Sequence, residues 1–178
     1  AKGVPLTHRN LISNVRALKE RELVESSDRV LLPLPLHHVY PFTVGTLLPL
    51  ASGIPIILPQ SLTGPQIVRA MTEGRATVVV GVPRIYSALL AAVNDRLAHR
   101  GRFRAWLFRA ALAVSSALHR RIGLDLGKKL FAKLHRQIAP DLRMVASGGS
   151  PIDVQLAHHL QGLGWHFANG YGLTETSP

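Results

Sequence analysis

Thr77-Val78-Val79-Val80-Gly81-Val82-Pro83-Arg84-Ile85-Tyr86 decides the fold. Four β-branched residues in a row, with no polar alternation, predict a strand buried on both faces, as inside a parallel sheet. Glycine and proline then turn the chain into a helix expected to run to about Asn94. Upstream, Arg29 to Leu32 reads as a second buried strand, ending in Pro33-Leu34-Pro35 and the pair His37-His38. A buried helix is expected from Val39 to Leu50, with Gly45 allowing close approach and Gly53 ending it, and Ile54 to Leu58 as the next strand. Thr63-Gly64-Pro65-Gln66 has the spacing of a capping box for a helix stopped by Gly74, and Thr7 caps a helix with Leu11, Ile12, Val15 and Leu18 on one apolar stripe. Downstream, Arg102 to Ile138 is helical, with Leu107, Ala111, Val114 and Leu118 and then Leu130, Leu134 and Ile138 as the apolar positions, broken between Gly123 and Gly127. Leu142 to Ala146 returns to strand, Ser150 caps a helix whose first residue is Pro151, and Trp165 to Ala168 is the last strand. Strands and helices alternate, so the fold class is α/β, a mainly parallel sheet flanked by helices.

The 178 residues are 47% apolar, enough for one domain with a proper core. Ala1-Lys2-Gly3 reads as the tail of a glycine-rich loop, and Thr176-Ser177-Pro178 stops inside a motif, so an internal piece of a larger protein is expected. The chain has no cysteine, which excludes disulfides and thiolate metal sites and is compatible with a reducing cytoplasm. No signal peptide is visible, and seven prolines between Pro33 and Pro65 interrupt the uncharged stretch that could otherwise span a bilayer. The net charge is +11, and twelve Lys and Arg between Arg96 and Arg143, against Asp125 and Asp141 alone, account for ten of it. Such a segment is a solvated helical face or a contact for anionic lipid or nucleic acid.

Ligands of α/β sheets gather at the carboxyl ends of strands. Four stretches lie there: His37-His38, Gly81 to Tyr86, Ser147 to Pro151, and Asn169 to Glu175. In the last, Gly170 and Gly172 bracket Tyr171, whose face can lie against a base. Thr174 and Thr176 offer hydroxyls to phosphate, and Glu175 is a hard oxygen ligand suited to Mg²⁺. Gly148 and Gly149 admit a flat ligand against bare backbone. Each stretch taken alone also reads as an ordinary turn or an exposed loop.

Together, Lys2-Gly3-Val4-Pro5-Leu6-Thr7-His8, Pro35-Leu36-His37-His38, Ser147-Gly148-Gly149-Ser150-Pro151 and Tyr171-Gly172-Leu173-Thr174-Glu175 occur in the order found in the adenylate-forming enzymes, which the chain resembles over its whole length. The Gly81 to Tyr86 run and the basic helical insert at about 96–140 are similar to long-chain acyl-CoA synthetases. The resemblance implies part of an adenylation domain, lacking its C-terminal domain, from an enzyme that activates a fatty acid with ATP and Mg²⁺ and transfers it to CoA. It further implies catalytic roles for His38, Thr174 and Glu175, with Glu175 as the metal ligand. Lys2, Ser147, Gly148, Gly149, Ser150, Pro151, Asn169, Gly170, Tyr171, Gly172 and Thr174 would meet ATP, and His37, Tyr86 and Gly148 the acyl group. The front of the phosphate loop is missing ahead of Lys2, so the piece is not expected to turn over alone. A cytoplasmic enzyme with peripheral contact to anionic membrane and no nucleic-acid partner is the expectation. The alternatives are a ligase loading an aryl or amino acid onto a carrier protein, and a non-catalytic basic module.

Overall fold

The computed structural model describes residues 3–99 and 101–176, so the reading of Lys2 lies outside the described residues. Five strands, β1 (Val30–Leu31), β2 (Ile56–Ile57), β3 (Val78–Gly81), β4 (Met144–Ser147) and β5 (His166–Asn169), form a sheet in the order β2-β1-β3-β4-β5. Every neighbouring pair is parallel. The valine-rich strand β3 is the middle one, buried at all four residues, as its unbroken β-branched run requires. Val78 and Val80 join a core with Val30, Leu32, Ile54 and Met144, while Val79 joins the larger core on the other face with Leu31 and Val145.

Helix α1 (His8–Glu20) is capped as expected: Asn10 N donates to Thr7 Oγ1 at 3.2 Å and Thr7 N donates to Asn10 Oδ1 at 3.1 Å. Only Val15 of its expected stripe is fully buried, and Ile12 is exposed. Helix α2 (Val39–Phe42) runs through a π-helical stretch, Thr43–Leu47, into α3 (Leu48–Ser52). Gly45 faces the side chain of Leu32 where a Cβ has no room, and Gly53 at φ +68° ends the segment. Helix α4 (Gly64–Glu73) follows Thr63, but the capping box does not form, because the Thr63 hydroxyl caps no amide and instead sits 3.2 Å from Ser61 Oγ.

Helix α5 (Pro83–His99) is followed by α6 (Arg102–Ile122), α7 (Gly127–Leu130), α8 (Ala132–Ile138) and α9 (Val154–Gly162). On α6 the buried residues are Ala105, Phe108, Leu112 and Ser115, one position out of phase with the expected stripe, and Leu107 and Val114 face outward. One residue is about 100° of helix rotation. The choice is made by α9, which approaches so closely that a Cβ on Gly162 would overlap Ser116 Oγ, and the Gly162 carbonyl accepts from Ser115 Oγ at 2.7 Å. A second correction concerns α9 itself. Its cap is Asp153, whose carboxylate accepts from Leu156 N at 3.0 Å, and not Ser150, so the first helical amides come three residues later than expected.

Two polar clusters tie the layers together. At the amino-terminal edge of the sheet the buried Asp28 accepts from Glu25 N (2.7 Å), Thr77 Oγ1 (2.6 Å), Arg143 Nε (2.8 Å) and Arg143 Nη2, joining the entries of β1, β3 and β4. Beneath β5, the turn Gly162-Leu163-Gly164 receives Ser115 from α6, the backbone of Gly127 from α7, and His135 of α8, whose Nε2 donates to Leu163 O at 2.9 Å. The basic helices are thereby held to the sheet.

Candidate active site

All five strands point the same way, so their exits share one edge. Gly81, Ser147 and Asn169 end β3, β4 and β5 side by side in register. Gly148 N donates to Gly81 O at 3.3 Å and Gly170 N to Ser147 O at 2.8 Å, so the ladder continues just past the strands and holds the two glycine-bearing exits next to each other. Ser147 is fully buried and its Oγ has no protein partner among the described residues. Gly149, at φ +77°, turns the chain away from the sheet, and Ser150 and Pro151 are exposed on the loop that follows.

Two phenols converge on the carbonyl of Ala146, the residue before this turn. Tyr40 Oη donates from one face at 3.1 Å, while Tyr86 Oη approaches from the other at 2.6 Å, closer than its 3.1 Å contact with Val79 O. Burial pushes both phenols above the ordinary value of 10.0, so they stay protonated and donate. Glycines make the space: a Cβ on Gly148 would lie 2.7 Å from the Tyr40 ring, and one on Gly81 would lie 2.8 Å from Tyr86 Oη.

His38 stands at the amino terminus of α2, two residues before Tyr40, with its exposed ring against that of His37 at a centroid distance of 4.2 Å. Beyond β5, Tyr171 is 91% exposed, and a 3₁₀ turn spans Thr174–Thr176. Thr176 is spent on that turn, accepting from Leu173 N at 3.3 Å and donating to Leu173 O at 3.0 Å. The side chains of Thr174 and Glu175 make no hydrogen bond or ion pair among the described residues. No cluster of three His, Asp or Glu groups forms there either, so a cation at Glu175 would take its remaining ligands from substrate and water.

The strand edge meets a cavity of about 570 Å³ lying between the sheet and helices α4 and α5. Its walls are apolar, with Met71 and Val68 from α4, Leu89 and Ala92 from α5, and Val79 and Val145 from the sheet. Tyr86 belongs to this lining, and Pro33, Val82 and Arg84 bring it to the strand exits. His37 and Gly148 are not part of the wall. The resemblance put Tyr86 beside the acyl group, but the walls supplied by α4 and α5 went unread, and their one local trace is the face of α5 carrying Ala88 and Ala92 a turn apart. The structure thus brings Gly81, Ser147, Gly148, Asn169, Gly170 and both tyrosines together, and leaves Thr174 and Glu175 on a separate exposed turn.

A family model described as AMP-binding enzyme matches residues 1–178. Long-chain-fatty-acid--CoA ligase FadD15 of Mycobacterium bovis is 30% identical over 199 residues, covering 99% of this chain and 31% of that protein. Feruloyl-CoA synthase of Amycolatopsis sp. is 29% identical over 178 residues, covering 99% and 28%. The crystal structure of the N-terminal domain of FACL13 from Mycobacterium tuberculosis superposes with a TM-score of 0.67 at 22% identity, covering 99% of this chain and 35% of that one. The chain therefore spans about a third of the length of the relatives it matches.

Proposed function

Since the chain belongs to the AMP-binding enzymes, we propose that it carries the acyl and nucleotide sites of a ligase that activates a fatty acid with ATP and passes the acyl group to CoA. The observation that carries this reading is the apolar cavity of about 570 Å³ whose lining includes Pro33 and Val82, just past β1 and β3, at the same end of the sheet as Gly81, Ser147 and Asn169. An alkyl chain in the cavity brings its carboxylate to that edge. The base and ribose lie over the bare backbone of Gly148 and Gly149, against the face of Tyr171, with Ser147, Ser150, Pro151, Asn169, Gly170 and Gly172 around them and Lys2 near the phosphates.

In the proposed reaction a carboxylate oxygen attacks the α-phosphorus of ATP and the bond to pyrophosphate breaks. The thiol of CoA then attacks the acyl carbon, and AMP leaves. Thr174 donates its hydroxyl to a phosphate oxygen, and the His38 imidazole donates to the charge that builds at the reacting centre. The Glu175 carboxylate, without a partner among the described residues, suits Mg²⁺, which when bound would neutralise phosphate charge. Glu175→Gln is expected to lower ATP–pyrophosphate exchange about a hundredfold at limiting Mg²⁺ in the protein that carries this chain. The residue is exposed, so the melting temperature should not change. Unchanged exchange at limiting Mg²⁺ would remove Glu175 from the metal site.

The likeness to feruloyl-CoA synthase favours an aryl acid as the second reading. Exchange that depends on a cinnamate-type acid and ignores palmitate would select it.

No described helix is long and apolar enough to cross a membrane. The setting proposed is the cytoplasm, with peripheral contact through the helical basic segment at 96–140. Phe103 and Trp106 of α6, 71% and 57% exposed, stack at 5.9 Å among arginines and form the anchor, whereas Phe108 is buried against Phe131. Phe103→Ser with Trp106→Ser should abolish co-sedimentation with anionic vesicles. Equal binding of the original chain to neutral vesicles, or none to either, would count against the contact.

A further inference from the structure

We propose that Tyr40 is a positioning residue, which by donating to the Ala146 carbonyl holds the His38 end of α2 and the Ser147–Gly149 turn in one fixed relation. The bond spans 106 residues of sequence. Its donor sits on the helix that His38 immediately precedes as N-cap, and its acceptor is the last peptide before the glycine turn. His38 itself makes no side-chain hydrogen bond among the described residues, so no polar contact of its own ring fixes where the imidazole stands. Its backbone is held by the start of α2, where Phe42 N donates to His38 O at 3.0 Å.

The contact is built rather than incidental. Gly148 leaves the Tyr40 ring the space it occupies, and any larger residue there would push the ring off the carbonyl. Gly81, in register with Ser147, does the same for Tyr86, which reaches the same carbonyl from the opposite face of the sheet. A carbonyl oxygen has two lone pairs, and donors from both faces restrain the peptide against tilting either way. Tyr86 also lines the apolar cavity, so the Ala146 carbonyl is the point where the cavity wall, the histidine helix and the glycine turn meet. A displacement of about 1 Å at a reacting group can cost about a hundredfold in rate, which makes such a point worth holding.

The positioning is a property of the free chain, and its catalytic meaning rests on the ligase reading. Residues 1–178 would be compared with Tyr40→Phe, which keeps the ring and removes the donor. Amide hydrogen exchange at Gly148, the ¹H–¹³C resonance of the His38 ring and titration with AMP would be followed. The variant is expected to speed exchange at Gly148 about tenfold, to shift the His38 resonance, and to weaken AMP about tenfold, while amides of β1 and β2 are unchanged. Gly148→Ala, breaking the same contact from the other side, should move the His38 resonance in the same direction. A lower melting temperature with Gly148 exchange and the His38 resonance unmoved would reduce Tyr40 to packing and overturn the proposal, as would uniform acceleration over the sheet. If the original chain binds no AMP, the nucleotide reading falls, while exchange and the His38 resonance still decide the role of Tyr40.

Discussion

Gly127→Ala is expected to unfold the helical basic segment from the sheet and to destabilise the whole chain by about 3 kcal/mol or more, the upper range for overpacking. Alanine is a better helix former than glycine, and φ at Gly127 is not in the left-handed region, so propensity alone argues for a gain. Packing overrides it. A Cβ at this position would overlap the backbone of Leu163 and Gly164 and lie 2.6 Å from Gly162 O. These are backbone atoms in the turn into β5, with no rotamer to relieve the overlap. Gly164 holds φ +88° and cannot easily move, and the neighbouring Ser115 and His135 bonds fall on the same turn. A melting temperature about 10 °C lower is the expected reading, with loss of amide protection concentrated in α7, α8 and β5. A variant as stable as the original would mean that the turn yields, and that the segment is not anchored there.

Removing the carboxylate that joins three strand entries should cost about as much. Asp28→Ala leaves the partly buried Arg143 guanidinium with its bond to Leu23 O at 3.2 Å and the distant Glu25 carboxylate at 3.7 Å, and takes from Thr77 Oγ1 its nearer acceptor. Breaking such a pair costs about 3 kcal/mol. The pH dependence follows from the same contacts. Burial alone would raise the Asp28 pKa, but the hydrogen bonds from Arg143, Glu25 and Thr77 outweigh it and hold the carboxyl below its ordinary 3.8. Its stabilisation is therefore complete above pH 3.8 and is lost as pH falls through the lowered folded value. His135 titrates earlier and with the same consequence. Burial lowers its pKa, partly opposed by its bond to Leu163 O and assisted by the Lys128 charge. The unfolded chain then takes up that proton first, and stability declines as pH falls below 6.5. Urea midpoints between pH 8 and 3 should show both limbs, and Asp28→Asn should flatten the lower one. A lower limb of undiminished depth in Asp28→Asn would assign the acid sensitivity to other carboxylates.

What the sequence by itself determined lies within a turn or a strand of the residues that signal it. The unbroken β-branched run made β3 an interior strand, Thr7 and Asn10 closed their capping box, Gly53 took its left-handed φ, and the four exit loops fell on one edge because alternating elements imply a parallel sheet. The tertiary structure decided what depends on partners far along the chain. Two neighbouring faces of α6 are both apolar, and only the close approach of Gly162 selected the one carrying Ser115. Asp153, rather than Ser150, became the cap of α9, because the glycine turn continues past Ser150 before the helix can start. The cavity is space left between α4 and α5, and empty space has no residue to announce it. Asp28 meets Arg143 across 115 residues, and Tyr40 meets Ala146 across 106. Periodicity reports which way a side chain points relative to its own helix or strand. It carries no information about which distant carbonyl or guanidinium will be waiting there, because that is set by how the layers stack once the apolar faces are buried.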